Sequence, residues 1–235
     1  MRADRSAGRN LGRLVRGFLL VLALAAGLAQ TARILADYPE WDFDRITQNA
    51  ERQNGHLGMR ARDKISSWEA MLNESGDLED REKLELVNRF FNRQFIFVDD
   101  IRTWAQVDYW ATPLEATIKG AGDCEDYSIA KYFTLRRLGI PSSKLRITYV
   151  KALELNQAHM VLTYYATPTS EPLVLDNLIN DIRPASKRRD LLPVYAFNAE
   201  GLFVSNTRKG DSKRLSRWQD LLKKMRAEGF AVGDG

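Results

Sequence analysis

The chain has 235 residues, of which 44% are hydrophobic and 10% aromatic, enough for one well-cored domain and too apolar for a disordered chain. Its formal charge of +4 is uneven: residues 1–36 hold six arginines against Asp4, leaving 29 basic and 30 acidic groups in the other 199 residues. A nucleic-acid binder shows a basic domain or stripe, and this near-neutral body excludes one.

The N-terminal charge reads as an address. The arginine-rich start precedes an uncharged run from Gly17 to Ala32, which Arg33 ends. The run is shorter than the ~20 residues a spanning helix needs. A cleaved signal peptide is therefore favoured over an uncleaved inner-membrane anchor for residues 1–36, and residues 37–235 make the domain.

From Tyr38 to about Asn92 apolar residues recur at helical spacing, as in Leu84, Val87, Phe90 and Phe91. Turn signals at Asn54-Gly55 and Glu74 to Asp77 divide the stretch into three helices, with Asp77 or Asp80 as a cap for the third. Phe95 to Val98 is strand-like. Residues 99–122 read as a long irregular segment rich in aromatics and acids, and long ordered loops are often functional. A helix is predicted from Cys124 to Leu138, stopped by Gly139-Ile-Pro141. Strands follow at Leu145 to Val150, Ala158 to Tyr165 and Leu173 to Asp176. A hairpin joins Val194–Phe197 to Leu202–Val204, and an amphipathic helix from Arg214 to Ala227 packs Leu215, Trp218, Leu222 and Met225 on the domain. Helices first and antiparallel strands second make an α+β fold, with the helices on one side of a sheet.

Cys124 is the single cysteine. An exported protein normally pairs its thiols, so one without a partner points to a thiol kept for chemistry. Its place at a helix N-terminus favours thiolate. Its neighbours Asp123, Glu125 and Asp126 oppose thiolate. The acids serve either as caps in the first helical turn or as hard oxygen ligands for Ca²⁺, with Asp108 or loop carbonyls completing the set.

There are two histidines to act as base. His56 lies in what reads as an exposed loop after Asn54-Gly55. Alternation along the Ala158–Tyr165 strand places His159 with Val161, Thr163 and Tyr165 on one face. His159 is the better partner for Cys124. Asp176, at the end of the next strand, orients the imidazole and stabilises its charged form. Asn177 points to the opposite face.

Cys, His, Asp in that order, the cysteine on a helix and the others on neighbouring strands, is the papain–transglutaminase arrangement. The blocks Trp110-Ala-Thr-Pro-Leu-Glu115, Gly122-Asp-Cys-Glu-Asp-Tyr-Ser-Ile-Ala-Lys-Tyr132, Ala158-His-Met-Val161 and Leu173-Val-Leu-Asp-Asn177 resemble the bacterial transglutaminase-like cysteine proteinases, the LapG-type periplasmic proteases. The likeness spans about residues 40–205. It implies a papain/transglutaminase-like fold and a calcium-dependent periplasmic endopeptidase. Such an enzyme clips the N-terminal region of a large, repeat-rich surface adhesin, typically at paired alanines, and the cell leaves the biofilm. It implies a partner too: an inner-membrane cyclic-di-GMP receptor that sequesters the protease. The family's triad falls on Cys124, His159 and Asp176, and its calcium-binding acids on Asp123, Glu125 and Asp126. A transglutaminase with a lysine acceptor and a non-catalytic docking domain of the same fold are the alternatives.

Overall fold

The structure is a computed structural model that describes residues 41–211 and 215–232. The signal or anchor expected at residues 1–36 lies outside the described residues. Helix α1 (Phe43–Asn54) starts where the Asp42 carboxylate accepts the Arg45 amide at 2.9 Å. Gly55, at φ +51°, breaks the chain into α2 (His56–Glu74). Helices α1 and α2 touch at Gly58, where a Cβ would stand 1.9 Å from the Ala50 carbonyl oxygen. Helix α3 (Asp80–Gln94) is capped by Glu79 and Glu82 rather than by either expected aspartate. Asp80 is used elsewhere: Lys144 and Tyr164 donate to it at 2.8 and 2.6 Å, tying α3 to the sheet.

The segment expected to be irregular holds regular structure. Strand β1 (Ile96–Phe97) pairs in parallel with β2 (Ala121–Gly122), and between them lie α4 (Asp100–Thr103) and α5 (Pro113–Lys119). The signal for α5 was present in Thr112-Pro113-Leu114-Glu115, a capping box with proline at the first turn. The surrounding aromatics and acids masked it.

Helix α6 (Cys124–Arg137) follows, then a seven-stranded antiparallel sheet in the order β6-β5-β4-β3-β7-β8-β9. Its strands are β3 (Leu145–Ala152), β4 (Gln157–Tyr164), β5 (Leu173–Leu175), β6 (Arg183–Pro184), β7 (Leu191–Asn198), β8 (Gly201–Val204) and β9 (Thr207–Gly210). Helix α7 (Ser216–Glu228) closes the described chain. Alternation divides β4 as anticipated. Met160, Leu162 and Tyr164 join the main core with the helices, whereas Val161 joins Val150 and Val174 in a small separate cluster. Trp68, with no exposed surface, anchors the main core against Phe91 and donates its indole N–H to Thr134 on α6 at 3.1 Å. Trp218 on α7 stacks on Phe133 of α6, with ring centroids 5.4 Å apart. Helix α6 is thus gripped from both sides, and its N-terminus is held against β4.

Candidate active site

The N-terminus of α6 is built by reciprocal capping. The Asp123 side chain accepts the Asp126 amide, and Asp126 Oδ2 accepts the Asp123 amide at 3.3 Å. Asp126 Oδ1 also takes the Ala111 amide at 2.8 Å, so one buried carboxylate ties the helix start to the preceding loop. Gly122 makes room for it, since a Cβ there would sit 2.7 Å from Asp126 Oδ2.

Half-buried Cys124 donates its thiol to Glu125 Oε2 at 3.1 Å, and the Met160 amide of β4 donates to the sulfur. Burial, then the charges of Glu125 and Asp123, push the thiol well above its ordinary range. The sulfur therefore touches the residue that follows His159. His159 is 4% exposed, and its Nε2 lies 2.8 Å from Asp176 Oδ1. Burial alone would raise the Asp176 carboxyl; hydrogen bonds and charge from His159 and Arg188 overcome it and hold the group at about 2. An ionised carboxylate only accepts, so Nε2 carries the proton and Nδ1 keeps its lone pair in the neutral ring.

Asp176 is gripped from every side. Arg188 Nη2 donates to Oδ2 at 2.7 Å, and the Leu178 amide to Oδ1 at 3.1 Å. The Asp176 carbonyl accepts from Asn92 at 2.8 Å and from Lys131 at 3.1 Å. Lys131 lies on α6 two turns beyond Cys124, and burial, partly countered by Asp176, lowers it to about 7. Sequence reasoning missed Arg188, Asn92 and Lys131. Arg188 stands in Lys187-Arg188-Arg189, a run that reads as solvated charge. Asn177 takes no part in this network, and its Oδ1 is buried without a partner.

The acids gather more widely than the sequence suggested. Oxygens of Asp100, Asp108 and Glu125 lie within 4.8 Å of one another, as do those of Asp100, Asp123 and Asp126. Cys124 Sγ falls in a third such group with Asp123 and Glu125. Asp100 is the addition, and it is 3% exposed on the short helix α4. Asp108 is at the exposed edge and also pairs with Arg217 at 2.5 Å. Burial first, and then neighbouring carboxylates, raise Asp100 to about 6, Asp123 to about 10 and Asp126 well above its usual range. Oδ1 of Asp100 and Oδ1 of Asp123 are buried with no hydrogen-bond partner. Orphaned hard oxygens among mutually repelling acids fit a Ca²⁺ ion, which takes six to eight oxygen ligands.

The rival base falls away. His56 is exposed in the first turn of α2 rather than in a loop. Trp110 stacks on Phe197 in the core at 5.4 Å, and half-buried Trp104 packs on Tyr109 at 4.7 Å.

The profile of the bacterial transglutaminase-like cysteine proteinases matches residues 61–190, more than half of the chain. The chain belongs to this family. Solved structures of Legionella pneumophila LapG are similar to this proteinase at 46% identity and a TM-score of 0.69, covering 80% of this chain and 99% of that one. An EGTA-treated form of LapG matches at 45% identity and TM-score 0.70 over 80% of this chain and 99% of that one. A calcium-bound form matches at 46% and 0.68 over 78% and 99%. No curated protein matches. The mixed helical and antiparallel fold expected from the sequence is the fold of this transglutaminase-like proteinase.

Proposed function

We propose that this cysteine proteinase is a calcium-dependent periplasmic endopeptidase that cuts the N-terminal region of a large surface adhesin, releasing it and dispersing the biofilm. The observation that carries the chemistry is the buried 2.8 Å bond between His159 and Asp176, which leaves Nδ1 as the basic nitrogen beside the strand residue that touches Cys124. In this reading Cys124 sulfur attacks the scissile carbonyl and His159 Nδ1 takes the thiol proton. His159 then returns it to the leaving amine, and Asp176 holds the ring and offsets its charge. The Cys124 amide at the head of α6 is one donor for the oxyanion. Water then frees the acyl group from the sulfur, with His159 again as base.

A divalent cation held by Asp100, Asp108, Asp123, Glu125 and Asp126 would offset the acids that oppose a thiolate. Glu125 is the residue that links the two halves, since it accepts a hydrogen bond from the Cys124 thiol and belongs to the acidic cluster. The LapG structures bear the same theme, with calcium-bound and EGTA-treated forms. The adhesin, the periplasmic address and the cyclic-di-GMP receptor that withholds the enzyme rest on the family resemblance.

The test is cleavage of an adhesin N-terminal fragment with and without excess chelator, beside a Cys124→Ala control. Cutting that needs both Cys124 and calcium is expected. Cutting that persists in chelator removes calcium from the mechanism. A folded protein that cuts nothing but joins an added primary amine to a glutamine peptide makes the chain an acyl transferase instead.

A further inference from the structure

Arg188 belongs to no part of the triad, yet its placement is unusual. It is 3% exposed, and its guanidinium reaches the one Asp176 oxygen that His159 leaves over. Nη2 lies 2.7 Å from Asp176 Oδ2 and 2.7 Å from Asp190 Oδ2, and Nε lies 3.0 Å from Asp190 Oδ1. Nη1 is buried without a partner. The backbone fixes the same residue, since the Arg188 amide donates to Ala185 at 2.9 Å and its carbonyl accepts from Leu191 at 3.1 Å.

A carboxylate with one bonded oxygen turns easily about its terminal torsion, which is broad and two-fold. With Oδ2 seized by a charged, planar donor, that rotation stops and Oδ1 stays on His159. Burying a full positive charge is costly unless it is paired and hydrogen-bonded, as Arg188 is by Asp176 and Asp190. Asp190 is partly exposed and alone would hold Arg188 at the surface. From these contacts we infer that Arg188 is a positioning residue for catalysis: it locks Asp176, and through Asp176 it sets the tautomer and orientation of His159. The chain of contacts runs Asp190, Arg188, Asp176, His159.

Arg188 also lines a cavity of about 330 Å³ on the face of the sheet that carries Val161 and Val174. A small cation can therefore reach the space its side chain would vacate, which makes the idea testable by chemical rescue. The inference rests on the cysteine-protease reading for its kinetic arm only.

The experiment uses the full chain as wild type, Arg188→Ala and Arg188→Lys. Two readouts are taken: kcat and KM on the adhesin fragment, and long-range proton–nitrogen NMR of the histidine rings. There are two histidines, and His56→Gln assigns the remaining signals to His159. Wild-type His159 is expected in the Nε2–H form. Arg188→Ala is expected to lose about 10- to 100-fold in kcat with KM nearly unchanged, and to show mixed His159 tautomers. Millimolar guanidinium restores much of that loss, whereas urea, equal in shape but neutral, does not. Arg188→Lys falls between, and it carries the test alone if the alanine variant fails to fold. Wild-type kcat and unchanged His159 signals in either folded variant overturn the inference. So does a loss of activity with unchanged His159 signals, which marks a merely structural residue. If wild type cuts no adhesin fragment, the proposed substrate fails, and the NMR result still decides the role of Arg188.

Discussion

Replacing Asp176 by asparagine removes one negative charge from a pocket that holds His159 and Arg188 and keeps its shape. The native carboxyl is held at about 2 against an ordinary 3.8. Burial opposes that displacement; the His159 and Arg188 contacts produce it. One pH unit corresponds to about 1.4 kcal/mol, so the ionised group contributes about 2 kcal/mol of pH-dependent stability. The folded value lies below the unfolded one, so this contribution is complete above about pH 4 and is lost as pH falls toward 2. By pH 3 about half of it is gone. Arg188 would be left with Asp190 alone; breaking a buried pair costs about 3–5 kcal/mol, and since that figure already includes the pH-dependent part, the total loss at pH 7 is about 3–5 kcal/mol. Asparagine in addition presents His159 with a donor or an acceptor at will and frees the wrong tautomer. A catalytic loss of about 10⁴-fold is expected, the scale known for the same change in a serine-protease triad. Urea unfolding of wild type and Asp176→Asn at pH 7, 5 and 3 measures the first part, and cleavage assays measure the second. A stability difference that stays flat or grows between pH 7 and pH 3 would refute the electrostatic reasoning.

Asp100→Ala is expected to weaken calcium binding at least tenfold, read by terbium luminescence competed with calcium, because Oδ1 is a buried oxygen with no other partner; freeing the Tyr109 amide that Oδ2 accepts costs about 1–3 kcal/mol of stability besides. Glu228, lifted to about 8 by burial, keeps its proton in the folded state while the unfolded chain releases it near 4.5. Its stabilising effect is therefore present at low pH and is lost as pH rises from 4.5 through 8. Glu228→Gln should be nearly neutral at pH 4 and stabilise the protein by up to about 5 kcal/mol at pH 9, as thermal melts at the two pH values would show. Gly122→Ala drives a methyl into Asp126 and should cost about 1–3 kcal/mol and slow cleavage together, since the same carboxylate holds the loop and the head of α6. Unchanged melting and activity would show that Asp126 moves aside freely.

Much of the site was written locally. A helix start is a short-range event, so Asp123-Cys124-Glu125-Asp126 announced both the thiol at a helix head and the acids around it. Strand alternation is equally local, and it gave the faces of β4 and set Asp176 and Asn177 on opposite faces; the carboxylate's charge then chose Asp176. What escaped has a common physical cause, long-range pairing. Asp100 approaches Asp123 because β1 and β2 pair in parallel and bring the loop after β1 to the head of α6. Arg188 meets Asp176 across the loop and turn that follow β5, and Lys131 meets it because α6 lies beneath that strand end. The charge on Arg188 is a property of the sequence, but its burial is not. Residue types and local periodicity determined the fold class, the thiol, the histidine proposed as its base and most of the acids. Only tertiary structure decided which charges lose their water, and desolvation is what turns an ordinary arginine into a fixed partner for Asp176.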